Sequence, residues 1–362
     1  MNIVKIKNIR KFKEFSKRIY KDDPLYRDNK SALIDLVCKK NSAFYKNSWQ
    51  EMVAVCDGGN TICQCALTNH KHDKDTMMLS FFESLPNAED AVSCLVDYAG
   101  QKAKERGCIK LVVGVDGHCN YSVGFLIDSQ GTPAGFGEAY NPIYYNDYFR
   151  DMGWDTIELV SVKEYIPDVK RKPFEAAARI LKDRIRIEYA DLSRAGFENT
   201  IKMYTDISNE IFEGHRYCAF REFAEDLALL KQMKPLLNPD NLIFAFEGDE
   251  PVGFLLWYPD FNEFLPPGKG AGIGTFINYR IQKKLPTSLK VTQIGILPKY
   301  RNRALILHLF GALADAQGAR YSEMQYVKSS WILSENNRSK DMSEKILRSP
   351  YKKFATYEKD LV

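Results

Sequence analysis

The sequence predicts an α/β fold, of the α+β kind with a mixed sheet, built as two tandem domains of similar organisation. The first observation is an internal repeat: each half holds a strand-like run ending in Leu-Pro, a long amphipathic helix, a glycine and a second strand. Pro86 corresponds to Pro298, and Gly107 corresponds to Gly318. The second observation is that strand and helix patterns alternate through both halves, which is typical of helices packed on a mixed sheet.

The first half opens with the strand pattern IVKIK, a basic amphipathic helix over residues 10–20 and a helix over residues 31–40. The runs EMVAVC and TICQCALT flank the turn at residues 57–60, and this arrangement predicts a hairpin. The first repeat copy begins at Met77. The stretch after it is rich in Gly, Tyr and Asn, which predicts long loops around a short strand; a short helix and the strand TIELVSVKEYI close this half.

A domain boundary is predicted at residues 167–173, where PDVKRKP interrupts any regular pattern, so the domains are placed at residues 1–168 and 174–362. The second half then repeats the order of the first. Its predicted elements are the helix FEAAARILKDR, the strand IRIEYA, helices at 197–212 and 221–234, the hairpin LIFAFEGDEPVGFLLWYP, the second repeat copy, a helix at 339–347 and the strand KKFATYEKDL.

The composition is that of a globular protein, with 45% hydrophobic and 27% charged residues. No apolar run approaches the roughly 20 residues that a membrane helix needs, and the charged run MNIVKIKNIRKFKEF lacks the apolar core of a signal peptide. We therefore expect a cytoplasmic protein without a membrane span. The net charge of +4 is too small to indicate a nucleic-acid partner, and none of the eight cysteines has the spacing of a metal site.

The loop that opens the second repeat helix is basic. The strand VTQIGILP runs directly into KYRNRALILHLF, which places Lys299, Arg301 and Arg303 at a helix N-terminus. Free amides there bind anions, whereas cations are disfavoured by roughly 0.3–1 kcal/mol each. Three cations at this position indicate a bound anion; the alternative interpretation is a solvated first turn. The equivalent turn of the first copy, PNAEDAV, is acidic and would repel phosphate.

This segment, LPKYRNRA, resembles the acyl-CoA loop of the GCN5-related N-acetyltransferases (GNAT), in which P-x-Y-R-G-x-G-x-G/A opens the helix after the fourth strand. Further stretches resemble a bacterial branch of tandem acetyltransferase-like proteins, the YghO-type group: YKDDPLYR, FFESLPNAEDAV, GHCNYSVGFLID, AYNPIYYNDYFRDMGW, SWILSENN and KKFATYEKDL. The resemblance covers nearly the whole chain. It implies two tandem acyl-CoA N-acyltransferase (GNAT-like) domains.

The resemblance also implies acetyl-CoA or a longer acyl-CoA as co-substrate. No metal is expected, because the cysteine spacing does not fit one. The backbone of Ile294 and Ile296 would pair with the pantetheine arm, Asn336 would orient that arm or a water, and Ser343 would contact the sulfur. The pyrophosphate would be held by the backbone amides of Arg301, Asn302, Arg303, Ala304, Leu305 and Ile306.

Two departures from the family pattern concern the same residues. Asn302, Ala304 and Ile306 stand where the motif has glycines, and a non-glycine residue held in a glycine conformation costs on the order of 1–3 kcal/mol. Ser343 stands where many members carry a tyrosine that protonates the leaving thiolate. The departures indicate weaker cofactor binding and the absence of the usual general acid.

A dense set of Tyr and Asn residues in the first half predicts the acceptor site, because such loops suit a ligand with polar and apolar parts. The alternative is that the tyrosines pack at the domain interface. Asp260 and Glu263 follow the hairpin and either reach the cleft as bases or are exposed loop acids. The predicted substrate-binding residues are Asn120, Tyr121, Tyr140, Asn141, Tyr144 and Tyr145.

Three functions follow from these observations. The leading one is an N-acyltransferase that moves an acyl group from CoA to an amine, either a small molecule or a lipid amine, with the N-terminal copy holding no cofactor. The second is a non-catalytic tandem GNAT-like binding protein. The third is an aminoacyl-tRNA-dependent transferase, which would favour a stronger basic groove than a charge of +4 suggests.

Overall fold

The computed structural model describes residues 1–129, 131–301 and 303–361, with the side chains of Arg303 and Arg338 left out. The first half holds seven of the strands and five of the helices in these ranges. The strands are β1 (Asn2–Lys5), β2 (Ser48–Asp57), β3 (Asn60–His70), β4 (Thr76–Ser84), β5 (Lys110–Val113), β6 (Phe125–Asp128) and β7 (Asp155–Tyr165). The helices are α1 (Ile9–Ile19), α2 (Lys30–Cys38), α3 (Ala43–Lys46), α4 (Glu89–Glu105) and α5 (Tyr145–Asp151).

The second half follows nearly the same order, with an additional helix before its first strand and another between its third and fourth strands. Its helices are α6 (Lys172–Leu181), α7 (Phe197–Ile211), α8 (Phe223–Met233), α9 (Ile273–Phe276, continued by a π-helix at Ile277–Ile281), α10 (Arg303–Arg320) and α11 (Asn337–Ile346). Its strands are β8 (Ile185–Tyr189), β9 (Leu242–Glu247), β10 (Glu250–Pro259), β11 (Ser288–Ile296), β12 (Tyr326–Ser329), β13 (Ile332–Leu333) and β14 (Ser349–Asp360).

The strands form one mixed sheet, which confirms the predicted fold class. Its order is β1-β2-β3-β4-β5-β14-β7-β12-β11-β10-β9-β8, with β6 beside β14 and β13 beside β7. Two neighbouring pairs are parallel, β4 with β5 and β11 with β12, and each comes from one repeat copy. Both predicted hairpins are observed, as β2–β3 and β9–β10. Gly107 follows α4 with a φ of +74°, whereas Gly318 lies inside α10 and does not end it.

The two halves exchange their last strands. The chain's final strand, β14, lies against β5 of the first half, and its Ala355 and Tyr357 belong to the first half's core. The first half's last strand, β7, pairs with β12 of the second half, and its Val162 belongs to that half's core. The sheet therefore continues from one half into the other, because β14 and β7 also pair with each other in the middle. The two cores are tied together by backbone hydrogen bonds.

Candidate functional site

The centre of the second half is a split in the sheet. Strands β11 and β12 pair only from Ser288 to Val291, and the last bond joins the Ser330 amide to the Val291 carbonyl at 2.8 Å. A β-bulge at Thr292 interrupts the pairing of β11 with β10 at the same point. Bulges bend a strand and increase its twist, which turns the rest of β11 away from β12. The Thr292 hydroxyl is buried, and no partner for it is found in the described part of the chain.

Beyond the split, β11 presents one edge to the cavity described below. The Leu297 amide donates to the Val252 carbonyl of β10 at 3.0 Å, so alternation along the strand turns the backbone groups of Ile294 and Ile296 the other way. Both residues line the cavity. The two residues predicted to offer backbone groups to a ligand therefore lie on the open side of β11.

The basic loop follows directly. The Arg301 guanidinium donates to the Ile296 carbonyl at 3.3 Å and to the Ile211 carbonyl at 3.1 Å. Lys299 forms an ion pair with Glu250 at 2.7 Å. The hairpin turn therefore supplies a counter-charge for Lys299, which weakens the evidence that this cation faces a bound anion.

The remaining residues of the predicted loop differ in position. Asn302 lies outside the described residues, and α10 begins at Arg303. Leu305 is buried in the second core and Ala304 packs against that core, whereas Ile306 also lines the cavity. The β-branched side chain at position 306 thus occupies space beside the open edge of β11.

A cavity of about 1250 Å³ extends from this edge between the two halves. Side chains from both halves line it, and most of those are apolar, including Leu33, Leu36, Leu229, Leu236 and Phe276. Small-molecule sites usually measure about 300–1,000 Å³. The cavity therefore has room for more than the reacting groups of two small substrates.

A buried chain of hydrogen bonds crosses the cavity wall. The Tyr204 hydroxyl donates to Gln293 Oε1 at 2.6 Å, and Gln293 Nε2 donates to Asn120 Oδ1 at 2.6 Å. Asn120 Nδ2 donates to Asp226 Oδ1 at 3.3 Å, and Asp226 also accepts from Arg221 Nε at 3.0 Å. Burial raises the pKa of Tyr204, so its hydroxyl keeps its proton at neutral pH. The chain of bonds links β11 of the second half to a loop of the first.

Sequence reasoning missed Gln293 and Tyr204. Gln293 lies inside a strand pattern, and Tyr204 is one of the buried positions of α7. Neither belongs to a motif. Their joint role depends on a partner, Asn120, that is 173 positions away along the chain from Gln293.

A second buried cluster holds three lysines and two acids. Lys328 pairs with Asp260 at 2.8 Å, and Lys352 pairs with Glu138 at 2.7 Å. Burial lowers the pKa of Lys290, although Glu138 and Asp260 oppose the shift. Burial alone would raise the pKa of Glu138, but the ammonium groups of Lys352, Lys290 and Lys328 lower it to about 2. The cluster fixes the loop before Glu138 to the strands of the second half.

The structure separates the two acids considered as bases. Asp260 is buried and accepts from the Phe136 amide at 2.8 Å as well as pairing with Lys328, so its interpretation as an exposed loop acid is wrong. Glu263 is exposed and accepts from Thr287. Neither of the two carboxylates lines the cavity.

Asn336 and Ser343 both line the cavity. Asn336 caps α11, because its Oδ1 accepts from the Ser339 amide at 3.1 Å. Ser343 lies about two turns further along α11, on the same side as Asn336. The two predicted catalytic residues therefore face the same space as the open edge of β11.

The predicted acceptor residues fall into two groups. Asn120 and Tyr121 line the cavity. The other four do not; each makes hydrogen bonds inside the first half. Tyr140 donates to Asp23 at 2.7 Å, and Asn141 donates to the backbone at 2.8 Å. Tyr144 donates to the Ser84 carbonyl at 2.7 Å, and Tyr145 donates to Glu83 at 2.8 Å.

These tyrosines fill the first half's own split. Strands β4 and β5 pair only from Thr76 to Leu79, as β11 and β12 do at their start. The Tyr145 hydroxyl accepts from the Ser84 amide of β4 at 2.8 Å, and the Tyr148 hydroxyl accepts from the Ala88 amide before α4 at 3.1 Å. In the second half, the backbone groups at this position face the cavity. In the first half, the equivalent backbone donors are satisfied by that half's own tyrosine side chains.

Comparison with known proteins agrees with this geometry. The chain is 23% identical to Protein YghO of Escherichia coli strain K12, over 98% of this chain and 93% of the relative. A solved tandem GNAT protein from the clavulanic acid biosynthesis pathway superposes with a TM-score of 0.55 and 10% identity, over 100% of this chain and 98% of that one. The chain has the tandem GNAT fold. The similarity to YghO supports its place in the YghO-type branch, as the resemblance predicted.

A further relative is the bacterial ceramide synthase of Caulobacter vibrioides. The tandem GNAT chain is 22% identical to it over 67% of its own length and 64% of the relative's length. No protein-family model matches the chain. None of the helices in the described ranges is long and apolar enough to cross a bilayer. No group of three His, Cys, Asp or Glu side chains in those ranges is placed to hold a metal ion.

Proposed function

We propose that this tandem GNAT protein is an acyl-CoA-dependent N-acyltransferase, which moves an acyl group from CoA to an amine. The observation that carries the proposal is the open edge of β11, which leaves β12 after Val291 and leads to the start of α10. An unpaired strand edge accepts an extended amide-containing arm as an added strand, and a helix N-terminus favours phosphate. The split in the first half is filled by its own tyrosines, so we assign acyl-CoA to the second half alone.

We assign roles to the residues in their order along β11 and the loop that follows it. The backbone of Ile294 and Ile296 would pair with the pantetheine arm. Arg301 would leave the Ile296 carbonyl and turn to the phosphates, because the arm needs the group that Arg301 now occupies. The segment whose amides would hold the pyrophosphate comprises Arg301, Asn302, Arg303, Ala304, Leu305 and Ile306.

Acyl-CoA supplies the acyl group as a thioester. The protein would polarise the thioester carbonyl and position the acceptor amine. Backbone donors near the Thr292 bulge would polarise the thioester carbonyl. Asn120, held by Gln293, would orient the acceptor amine, and holding two reactants together supplies a large share of such rate enhancements. Ser343 would face the leaving sulfur from α11. Its hydroxyl is a weaker acid than a tyrosine phenol, so we expect modest turnover.

The cavity favours a large apolar substrate. Its volume of about 1250 Å³ and its leucine-rich wall suit a long acyl chain or a lipid amine better than an acetyl group and a small amine. The similarity to a bacterial ceramide synthase supports the same substrate class. We therefore propose a long-chain acyl-CoA as donor and a lipid amine as acceptor.

Thermal unfolding with CoA, acetyl-CoA and palmitoyl-CoA tests the donor. A ligand at about 100 times its Kd adds roughly 2.7 kcal/mol of stability. We expect the largest shift with palmitoyl-CoA and a smaller shift in Arg301→Ala. Arg179→Ala, which removes an exposed arginine of α6, is the matched control. No shift with any thioester would refute the proposal.

Release of the CoA thiol, followed with a thiol-reactive dye, separates an enzyme from a binding protein. We expect release from palmitoyl-CoA only when a long-chain amine is present, together with an amide product by mass spectrometry. A thermal shift without release from any amine would instead support the non-catalytic binding protein.

A further inference from the structure

The segment between β10 and β11 carries an apolar face that no other element covers. Ile273, Phe276, Ile277 and Ile281 are exposed, with 81% of Ile273 and 65% of Ile281 accessible to solvent. Spacings of three and four place such residues on one side of a helix. Of the twelve large hydrophobic residues exposed in the described chain, four fall in this one helix. Clustered exposure of this kind marks an interaction surface, whereas scattered exposure does not.

The opposite side of the same helix is fixed to the protein. Thr275 and Tyr279 are buried, and the Tyr279 hydroxyl accepts from Asn238 Nδ2 at 2.9 Å. Arg280 donates to Asn238 Oδ1 at 2.6 Å. The helix is therefore held rigidly with its apolar side outward.

The segment that carries this face is basic. The sequence holds no Asp or Glu from Phe264 to Lys290. Lys269, Lys283 and Lys284 in this stretch are exposed. An exposed apolar face whose own segment carries exposed lysines and no carboxylate is complementary to a surface that is apolar below and anionic above, which describes a bilayer with acidic headgroups.

The helix also borders the cavity. Ile273 and Phe276 line the cavity and are exposed, so they mark an opening to solvent. The helix lies before the first residue of β11, whereas the basic loop follows its last residue, and the nine residues of β11 span about 30 Å. From this order along β11 we infer that the apolar opening and the proposed CoA end lie toward different ends of the cavity.

We propose that the face formed by Ile273, Phe276, Ile277 and Ile281 docks this protein on the surface of an anionic lipid bilayer, with the cavity opening toward the lipid. A lipid substrate then enters the cavity from the bilayer without crossing water, while the opposite end remains in solution. Docking rests on the exposed face and its charges and does not depend on acyltransfer.

Sedimentation with vesicles tests docking without any acyl-CoA. We expect binding to vesicles of phosphatidylcholine with phosphatidylglycerol and little binding to phosphatidylcholine alone. Ile277→Asp/Ile281→Asp, two residues that do not line the cavity, should lower partitioning at least about tenfold. Lys283→Gln/Lys284→Gln should lower it about fivefold per lysine. Ile180→Asp on α6, where the isoleucine is 74% exposed, is the matched control and should bind as wild type does.

Three outcomes would overturn the proposal: no vesicle binding by the wild type, equal binding by the Ile277→Asp/Ile281→Asp variant, or a wild-type dimer in sedimentation velocity that the variant lacks, which would assign the face to a second copy. The thioester thermal shift is measured separately. A protein that binds palmitoyl-CoA but no vesicle therefore retains the proposed function and loses only the docking surface.

Discussion

Replacing Tyr357 with alanine should destabilise the first half of the protein, although Tyr357 is close to the end of the chain. Its side chain is fully buried on β14, stacks on Phe149 with ring centroids 5.7 Å apart, and donates to Asn146 Oδ1 at 2.9 Å. Phe149 and Asn146 both belong to α5 of the first half. The strand exchange thus makes the first core depend on a residue more than 200 positions away.

The size of the effect follows from two contributions. Truncating a large buried aromatic side chain costs about 3–5 kcal/mol, and leaving the buried Asn146 oxygen without a donor adds about 1–3 kcal/mol. The sum is comparable to the whole stability of about 5–15 kcal/mol that is typical of a native protein. Tyr357→Phe keeps the ring and should lose only the second contribution.

Hydrogen exchange read by mass spectrometry, together with urea unfolding, is the suitable assay because it reports where protection is lost. In Tyr357→Ala we expect the amides of β5 and α5 to exchange faster, while those of β9 and β10 change less. The reverse pattern, with loss confined to the second half, would refute the strand exchange. Equal effects of the alanine and phenylalanine variants would refute the packing contribution.

Three further predictions follow from single contacts. Lys352 and the neighbouring lysines outweigh burial and lower the pKa of Glu138 from the ordinary 4.5 to about 2. The free energy of unfolding should therefore be highest above about pH 4.5 and fall by up to roughly 3 kcal/mol as the pH approaches 2. Glu138→Gln should flatten that part of a urea-midpoint curve, and an unchanged curve would contradict the assignment. Tyr145→Phe removes the acceptor of a buried amide and should cost about 1–3 kcal/mol in urea without changing palmitoyl-CoA affinity by calorimetry; altered affinity would place a ligand in the first split. Gln293→Ala should lower kcat and leave the KM for acyl-CoA nearly unchanged, because it releases Asn120 rather than the pantetheine edge. A change in that KM alone would contradict the proposed positioning of Asn120 by Gln293.

The repeat, the element order and the basic loop are local properties, and the sequence was sufficient for them. Strand patterns alternate with period two and helix patterns repeat near 3.6, so most elements could be predicted from their own residues. The short helices α3 and α9 were not predicted. The helix predicted at residues 339–347 is observed as α11, Asn337–Ile346. The split at Val291 lies five residues before Ile296, in the strand that the loop motif identified.

The predicted acceptor residues occupy two different places in the structure, which their local sequence does not distinguish. Asn120 and Tyr145 belong to the same Tyr- and Asn-rich stretch, yet one lines the cavity and the other fills the first split. A tyrosine hydroxyl on a loop serves a ligand or the protein according to which backbone amide it meets. That amide is supplied by a strand more than 60 positions earlier in the chain, and periodicity carries no information about it.

The sequence by itself determined that the chain holds two similar mixed α/β units and that only the second repeat helix has a basic start, because repetition and charge can be seen in the order of residues. Only the tertiary structure decided that β14 and β7 change places, that one split is open and the other filled, and that Gln293 meets Asn120. Each of these depends on pairing between distant segments. Such pairing is selected by the free energy of the whole packed sheet, and no single segment specifies it.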